Sequence, residues 1–289
     1  MTRLSRRSVL LLMGALAMAP AAARAQAVRS FSRTDAKGRA VTIAAIVRGK
    51  GPLVVLVPSL GRGASDFDDL ATRISAAGFQ TAAVDPRGAG LSRGPSDGVT
   101  MFDLADDFGM VAKGLSDKPA VFIGHAHGNR IVRALASKHP EQVSRLILLA
   151  AGGQVKPEPE VQVALQNVFV QTLSPEQHLA AVKMAFFAPG NDPSVWRGGW
   201  YPDVAAEQTA AGAATPNGAW LDGGQAPILI VQGANDRVAP PANAEALKSA
   251  HPDRVTVVTI PNAGHAMLPE QPKLIADIVI DALKSAGAR

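Results

Sequence analysis

Residues 124–128 read Gly124-His125-Ala126-His127-Gly128. The glycine spacing is that of G-x-S-x-G, a sharp strand-to-helix turn that presents a serine hydroxyl for attack on a carbonyl. Ala126 stands at the nucleophile position, so this turn offers no attacking atom of its own. The flanks fit the turn: the apolar run Ala120-Val121-Phe122-Ile123 leads in and a helix-like stretch, 129–135, leads out. Further on, Asp236 and His265 have the types and the order of a catalytic acid and base. A histidine base needs a carboxylate on its other ring nitrogen, which fixes the tautomer and stabilises the imidazolium. The plainer alternatives are a loop histidine held for structure and an aspartate capping the turn before Pro240-Pro241.

Positioning these groups requires an ordered scaffold, and the apolar pattern supplies one. Strands are expected at 39–47, 53–57, 80–84, 120–123, 143–149, 227–231 and 254–260, and helices at 66–77, 101–115, 127–138, 241–250 and from 269 to about 286. The strands are continuously apolar rather than alternating, and most are followed by a helix. That pattern belongs to a parallel sheet covered on both faces, the α/β class. Ligand chemistry in such sheets collects at the carboxyl ends of the strands. Ala126, Asp236 and His265 all fall just past a strand end.

Four segments together resemble the α/β-hydrolase superfamily. They are the elbow; Asp85-Pro86-Arg87-Gly88-Ala89-Gly90-Leu91-Ser92, similar to a D-x-R-G-x-G-x-S segment; Gln232-Gly233-Ala234-Asn235-Asp236-Arg237-Val238-Ala239-Pro240, similar to the acid loop; and Asn262-Ala263-Gly264-His265-Ala266-Met267-Leu268, similar to the histidine loop. The resemblance implies an eight-stranded, mostly parallel sheet with helices on both faces and a helical cap inserted at about 154–224. It implies His265 and Asp236 as base and acid around the empty position of Ala126, and the backbone N–H groups of Leu60 and His127 as an oxyanion hole. The His127 side chain either enters the pocket or packs. Ser59 is the one hydroxyl near the turn of the oxyanion loop, and its side chain does not normally share the elbow's line of attack. Trp196, Trp200 and Tyr201 of the cap, with Ser59 and Met267, are expected to line a pocket with few charges. Trp220, Phe169, Phe186 and Phe187 lie in the same insertion. Asp85 and Arg87 are expected to brace the fold.

Residues 1–27 read as a cleaved targeting peptide ahead of a domain at 28–289. Ser5-Arg6-Arg7-Ser8-Val9-Leu10 matches a twin-arginine signal, a short apolar run follows, and A-x-A sites stand at 23–25 and 25–27. The expected destination is the periplasm or the exterior, with no membrane attachment after cleavage. The chain carries +5, and Arg3, Arg6, Arg7 and Arg24 account for +4 of it, leaving +1 (5 − 4) beyond residue 25. This gives no basis for nucleic-acid binding. There are no cysteines, hence no disulfide, thiol nucleophile or thiolate metal site. His125 and His127 form an H-x-H pair, but a tight elbow is a poor metal site, and no cofactor or metal is expected. Two functional readings follow. In one, a water held by His265 and Asp236 replaces the serine in hydrolysing small apolar esters or lactones. In the other, the fold binds a small molecule without chemistry.

Overall fold

The computed structural model describes residues 26–287. The core is an eight-stranded sheet in the order β1-β2-β4-β3-β5-β6-β7-β8. The strands are β1 (Gln26–Thr34), β2 (Ala40–Arg48), β3 (Leu53–Val57), β4 (Gln80–Val84), β5 (Ala120–His125), β6 (Val143–Leu149), β7 (Ile228–Gly233) and β8 (Val255–Ile260). β1 pairs antiparallel with β2, and β2 antiparallel with β4, while all other neighbours are parallel.

The central strands explain their own composition. In β3 all five residues are buried. Leu53, Val55 and Val57 enter one core with α2 (Met101–Leu115), α3 (His127–Lys138) and α7 (Ala242–Ala250). Val54 and Leu56 enter the other with α1 (Asp68–Ala76) and α9 (Pro272–Gly287). A strand sandwiched between helices needs apolar side chains on both faces, and that erases the period-two alternation.

The expected strands are all present, but the pattern omitted β1. Most of its residues are exposed, so burial left no apolar signature. The strand also begins at Gln26, so a domain start at residue 28 falls inside it. The targeting peptide lies otherwise outside the described residues. At the far end, the expected single helix from residue 269 divides into α8 (Met267–Glu270) and α9, with the break at Gln271. The residue before a proline is disfavoured in helical conformation, and Pro272 follows.

Between β6 and β7 the chain leaves the sheet and builds α4 (Pro159–Asn167), α5 (Pro175–Phe186) and α6 (Pro202–Ala213), which form the cap. Arg87 and Asp107 are buried partners, and Arg33 of β1 bonds the same carboxylate at 2.8 Å. Asp85 accepts from the N–H of Ala64 at 2.8 Å, and its own carbonyl accepts from the Ser92 hydroxyl, also at 2.8 Å. The D-x-R-G segment is thus a brace tying β4 to α2 and β1.

Candidate active site

The elbow is built by close backbone packing. A Cβ on Gly124 would lie 2.5 Å from the carbonyl of Gly128, and one on Gly128 would lie 2.2 Å from the Val57 carbonyl. Only glycine lets the start of α3 press against β3 and β5. Between them Ala126 takes φ 51°, ψ −111°, a left-handed conformation that costs a non-glycine residue about 1–3 kcal/mol. Its N–H donates to the Leu149 carbonyl at 2.9 Å, and its own carbonyl accepts from the backbone and side chain of Asn129. The strained turn is fully held even though it carries only a methyl group.

His265 and Asp236 lie next to each other. His265 Nδ1 is 2.9 Å from Asp236 Oδ2 and 3.0 Å from Oδ1. The carboxylate also accepts from the N–H groups of Val238 (3.0 Å) and Ala239 (2.7 Å) and from Gln232 Nε2 (3.1 Å). A carboxylate so fully engaged stays an acceptor, which puts the proton on His265 Nδ1 and leaves Nε2 with its lone pair. The His265 loop is itself anchored: Glu270 accepts from the Gly264 N–H at 2.7 Å.

The same loop reaches the elbow. His125 Nε2 donates to the carbonyl of His265 at 2.8 Å, and the two rings are 5.6 Å apart. His265 is therefore docked on the residue immediately before Ala126. Full burial and the neighbouring His265 hold the His125 pKa down to about 3, and burial with the charge of Arg130 does the same for His127. Both rings are neutral donors or acceptors at ordinary pH.

The lowered values make stability depend on pH. A histidine at about 3 when folded and about 6.5 when unfolded binds more protons unfolded across that interval. Its stability contribution is therefore complete above the unfolded value and is lost as pH falls below it, by up to about 1.4 kcal/mol per pH unit for each ring. Unfolding free energy is expected to drop from pH 6.5 to 4.5, and His127→Gln to reduce that slope by about one histidine's share. Denaturant titrations at several pH values measure it, and equal slopes for the two proteins would contradict the assignment.

The loop after β3 lies beneath the cap. Gly61 donates to Gln208 Oε1 at 2.9 Å and accepts from the Tyr201 N–H at 2.9 Å. Arg62 is buried, pairs with Asp66, donates to the Gly198 carbonyl at 2.7 Å, and lies 4.6 Å and 4.4 Å from the ring centres of Trp196 and Trp200. Cap residues thus grip the loop that carries Ser59 and Leu60. The N–H groups of Leu60 and His127 have no acceptor among the described residues.

An aromatic column descends from the cap to the base. Trp200 stacks on Phe186 (5.6 Å), and Phe186 stacks on His265 (5.7 Å). Trp196 meets Phe186 at 5.4 Å and His125 at 6.0 Å. Trp196 and Trp200 therefore lie over the histidine pair. Ser59 is buried in the loop below. Tyr201 lies at the root of the cap, against Gly63.

Met267 is a correction to the expected pocket lining. It is fully buried among Leu149, Ile260 and Ile275, because α8 turns it down onto the sheet. Trp220 likewise belongs to the main core beside Arg133, not to the cap aromatics. Separately, an open groove of about 400 Å³ lies between α4 and α5, lined by residues such as Val163, Asn167 and Met184. Sequence reasoning passed over Arg62, Gln208, Gln232 and Glu270 as site-holding residues. Gln208 and the rings around Arg62 are distant from their partners in the chain, Glu270 accepts from backbone N–H groups, and the four-residue pairs Arg62–Asp66 and Gln232–Asp236 read as ordinary loop contacts until the loops fold.

Residues 50–272 match the model of the family Hydrolase_4, described as serine aminopeptidase, S33. A 2-(acetamidomethylene)succinate hydrolase of Mesorhizobium japonicum is 27% identical over 249 residues, spanning 81% of this chain and 88% of that protein. A monoacylglycerol lipase of Mycolicibacterium smegmatis is 28% identical over 252 residues, spanning 78% and 86%. Among solved structures, a thermophilic esterase from Thermogutta terrifontis superposes with a TM-score of 0.74 at 22% identity, covering 90% of this chain and 99% of that one. An esterase from Exiguobacterium antarcticum gives 0.72 at 20%, covering 88% and 99%. At these identities the structural likeness is one of fold.

Proposed function

We propose, from the premise that this chain belongs to the Hydrolase_4 family of α/β-hydrolases, that it hydrolyses small apolar esters or lactones with water in place of the serine. The observation that carries the reading is the Asp236–His265 pair, hydrogen-bonded at 2.9 Å with Nε2 left free and docked on the elbow of Ala126. A protein that only binds has no need of an oriented acid–base pair. Both full-length relatives named above bear the names of hydrolytic enzymes.

The chemistry balances without a covalent intermediate. His265 Nε2 takes a proton from a water standing where the serine hydroxyl would be, and the oxygen attacks the ester carbonyl. The amides of Leu60 and His127 hold the developing oxyanion. The C–O bond to the leaving group then breaks, and the imidazolium returns its proton to the departing alkoxide. The products are one acid and one alcohol, or the opened hydroxy acid of a lactone. Trp196, Trp200 and Phe186 keep the site dry, which strengthens each electrostatic contact.

Short aryl and alkyl esters test the reading. We expect slow steady-state turnover with no burst, and no labelling by serine-directed phosphonates, because no acyl-enzyme forms. Labelling at Ser59 would make that hydroxyl a substitute nucleophile. Tight binding of an apolar small molecule with no turnover of any ester would favour the non-catalytic reading, to which the missing hydroxyl of Ala126 points.

Export belongs to the same proposal. The N-terminal stretch is assigned as a cleaved twin-arginine signal, with the mature chain beginning near Gln26 or Val28, and the product as periplasmic or secreted. Replacing Arg6 and Arg7 by lysine is expected to hold the protein in the cytoplasm, and unchanged export would mean another route.

A further inference from the structure

The chain that carries His265 crosses a seam between two cores. Ala263 is buried in the core under α1 and α9, whereas Ala266 is buried in the cap's own cluster with Phe186, Phe187 and Trp196. His265 lies between them, so the body shapes its backbone on one side and the cap on the other. The cap's share consists of hydrogen bonds. The Ala266 N–H donates to the carbonyl of Phe186, at the end of α5, at 2.9 Å. The Gly264 N–H donates to Glu270 Oε2 at 2.7 Å. Glu270 Oε1 accepts from the Ala188 N–H and from Asn191 Nδ2, both at 2.7 Å. Asn191 Nδ2 also donates to the Asn262 carbonyl at 3.0 Å. One carboxylate thus ties the residue before His265 to the cap segment that follows α5. A Cβ on Gly264 would lie 2.6 Å from the Phe186 carbonyl oxygen and 2.8 Å from the Ala188 nitrogen, so the two segments pack backbone to backbone.

All three partners of Glu270 are donors. An ionised carboxylate satisfies them with two acceptor oxygens, and bonds to a charged acceptor are stronger than neutral ones. An amide of the same shape has one oxygen, so its NH₂ group must face either the Gly264 N–H or the two donors from the cap. The joint therefore needs the acid itself and not only its shape. Asp236 holds Nδ1 of the His265 ring, and the backbone of residues 264–266 decides where that ring stands. Reacting groups keep their aim only when the residues behind them are themselves fixed.

We infer that Glu270 is a positioning residue that couples the cap to the acid–base pair: through it, the cap segment 187–191 sets the place of the His265 ring against Asp236 and the elbow. The cap is then more than a cover, because a shift of that segment carries the base with it. The ring stacked beneath Phe186 moves with the same segment, since the Phe186 carbonyl holds Ala266. The consequence for turnover rests on the hydrolase reading, while the placement of the ring stands on the bonds of Glu270 alone.

The Nδ1 proton of His265 is the probe, because it is present whether or not an ester is turned over. Proton NMR of the full chain in water reads it downfield of the backbone amides, and its loss in His265→Ala assigns it. Glu270→Gln is expected to speed exchange of this proton with water at least about tenfold, since a loosened loop opens more often. Asn191→Ala removes one donor of the cap and keeps the Gly264 bond, and is expected to speed exchange by about threefold. In ester assays Glu270→Gln is expected to lower kcat at least about tenfold with KM within about threefold of wild type, because the base is misplaced while the binding surface remains. Thermal unfolding accompanies each variant. Wild-type exchange of the ring proton in a folded Glu270→Gln protein overturns the positioning role, as does a lowered Tm with kcat unchanged, the mark of a mere brace. A wild-type chain without the downfield proton overturns it too. Should Glu270→Gln fail to fold, Asn191→Ala decides on the same proton. A wild-type chain that turns over no ester removes the hydrolase reading, and the ring proton still decides the role of Glu270.

Discussion

Ala126→Ser is expected to raise ester hydrolysis by on the order of 10³-fold or more, to introduce a burst, and to make the protein a target for phosphonate labelling at residue 126. In serine proteases, losing the nucleophile costs about 10⁶ in kcat, while the rest of the site retains about 10³–10⁴ over water. The reverse substitution recovers part of that difference only if everything but the oxygen is in place. Three observations say that it is. Ala126 already has the left-handed backbone of a nucleophile elbow, at φ 51°, so the serine Oγ enters without a new backbone strain. The site residue is nearly buried but not sealed, at 7% exposure. His265 hangs from His125 through its carbonyl at 2.8 Å, which fixes the ring relative to position 126. Single-turnover kinetics with an aryl ester measures the burst. A folded variant with neither burst nor label would mean that His265 Nε2 does not face the elbow, and the water mechanism would fall with it.

Most of this site was legible because its chemistry lies in short segments just past strand ends. The glycines of the elbow, the Asp236 loop and the His265 loop each announce a backbone turn locally, and the sheet then brings the turns together. Legibility ended where the partner was remote. Arg62 reads as an ordinary loop arginine until Trp196 and Trp200 enclose it, and Gln208 as a polar position in a weakly amphipathic cap helix until it accepts from Gly61. Met267 was misplaced for a related reason: adjacency to His265 in sequence says nothing about which way the first turn of α8 faces. β1 was missed because an exposed edge strand is selected for pairing, not for burial, and pairing leaves little trace in composition.

His265→Ala is expected to reduce any hydrolysis to the background of the buffer, whereas Ser59→Ala barely changes it. On the proposed water mechanism there is no serine to ionise, so the imidazole would carry both proton transfers, taking a proton from water and returning it to the leaving group. No other histidine at the elbow replaces it. His125 spends Nε2 on the His265 carbonyl, and its lowered pKa of about 3 makes it a poor base. His127 is held equally low by burial and Arg130. General acid–base catalysis alone is worth about 10²–10⁴, and the orientation of water by the same nitrogen adds to it. Asp236→Asn separates positioning from charge. The amide keeps the shape but can present its NH₂ group to Nδ1, which favours the opposite tautomer and leaves Nε2 protonated, so the loss should approach that of His265→Ala. Steady-state assays of the three variants, with circular dichroism to establish folding, decide the matter. Turnover that survives His265→Ala unchanged would place the chemistry elsewhere, and the retained acid–base pair would then be a structural brace for the elbow.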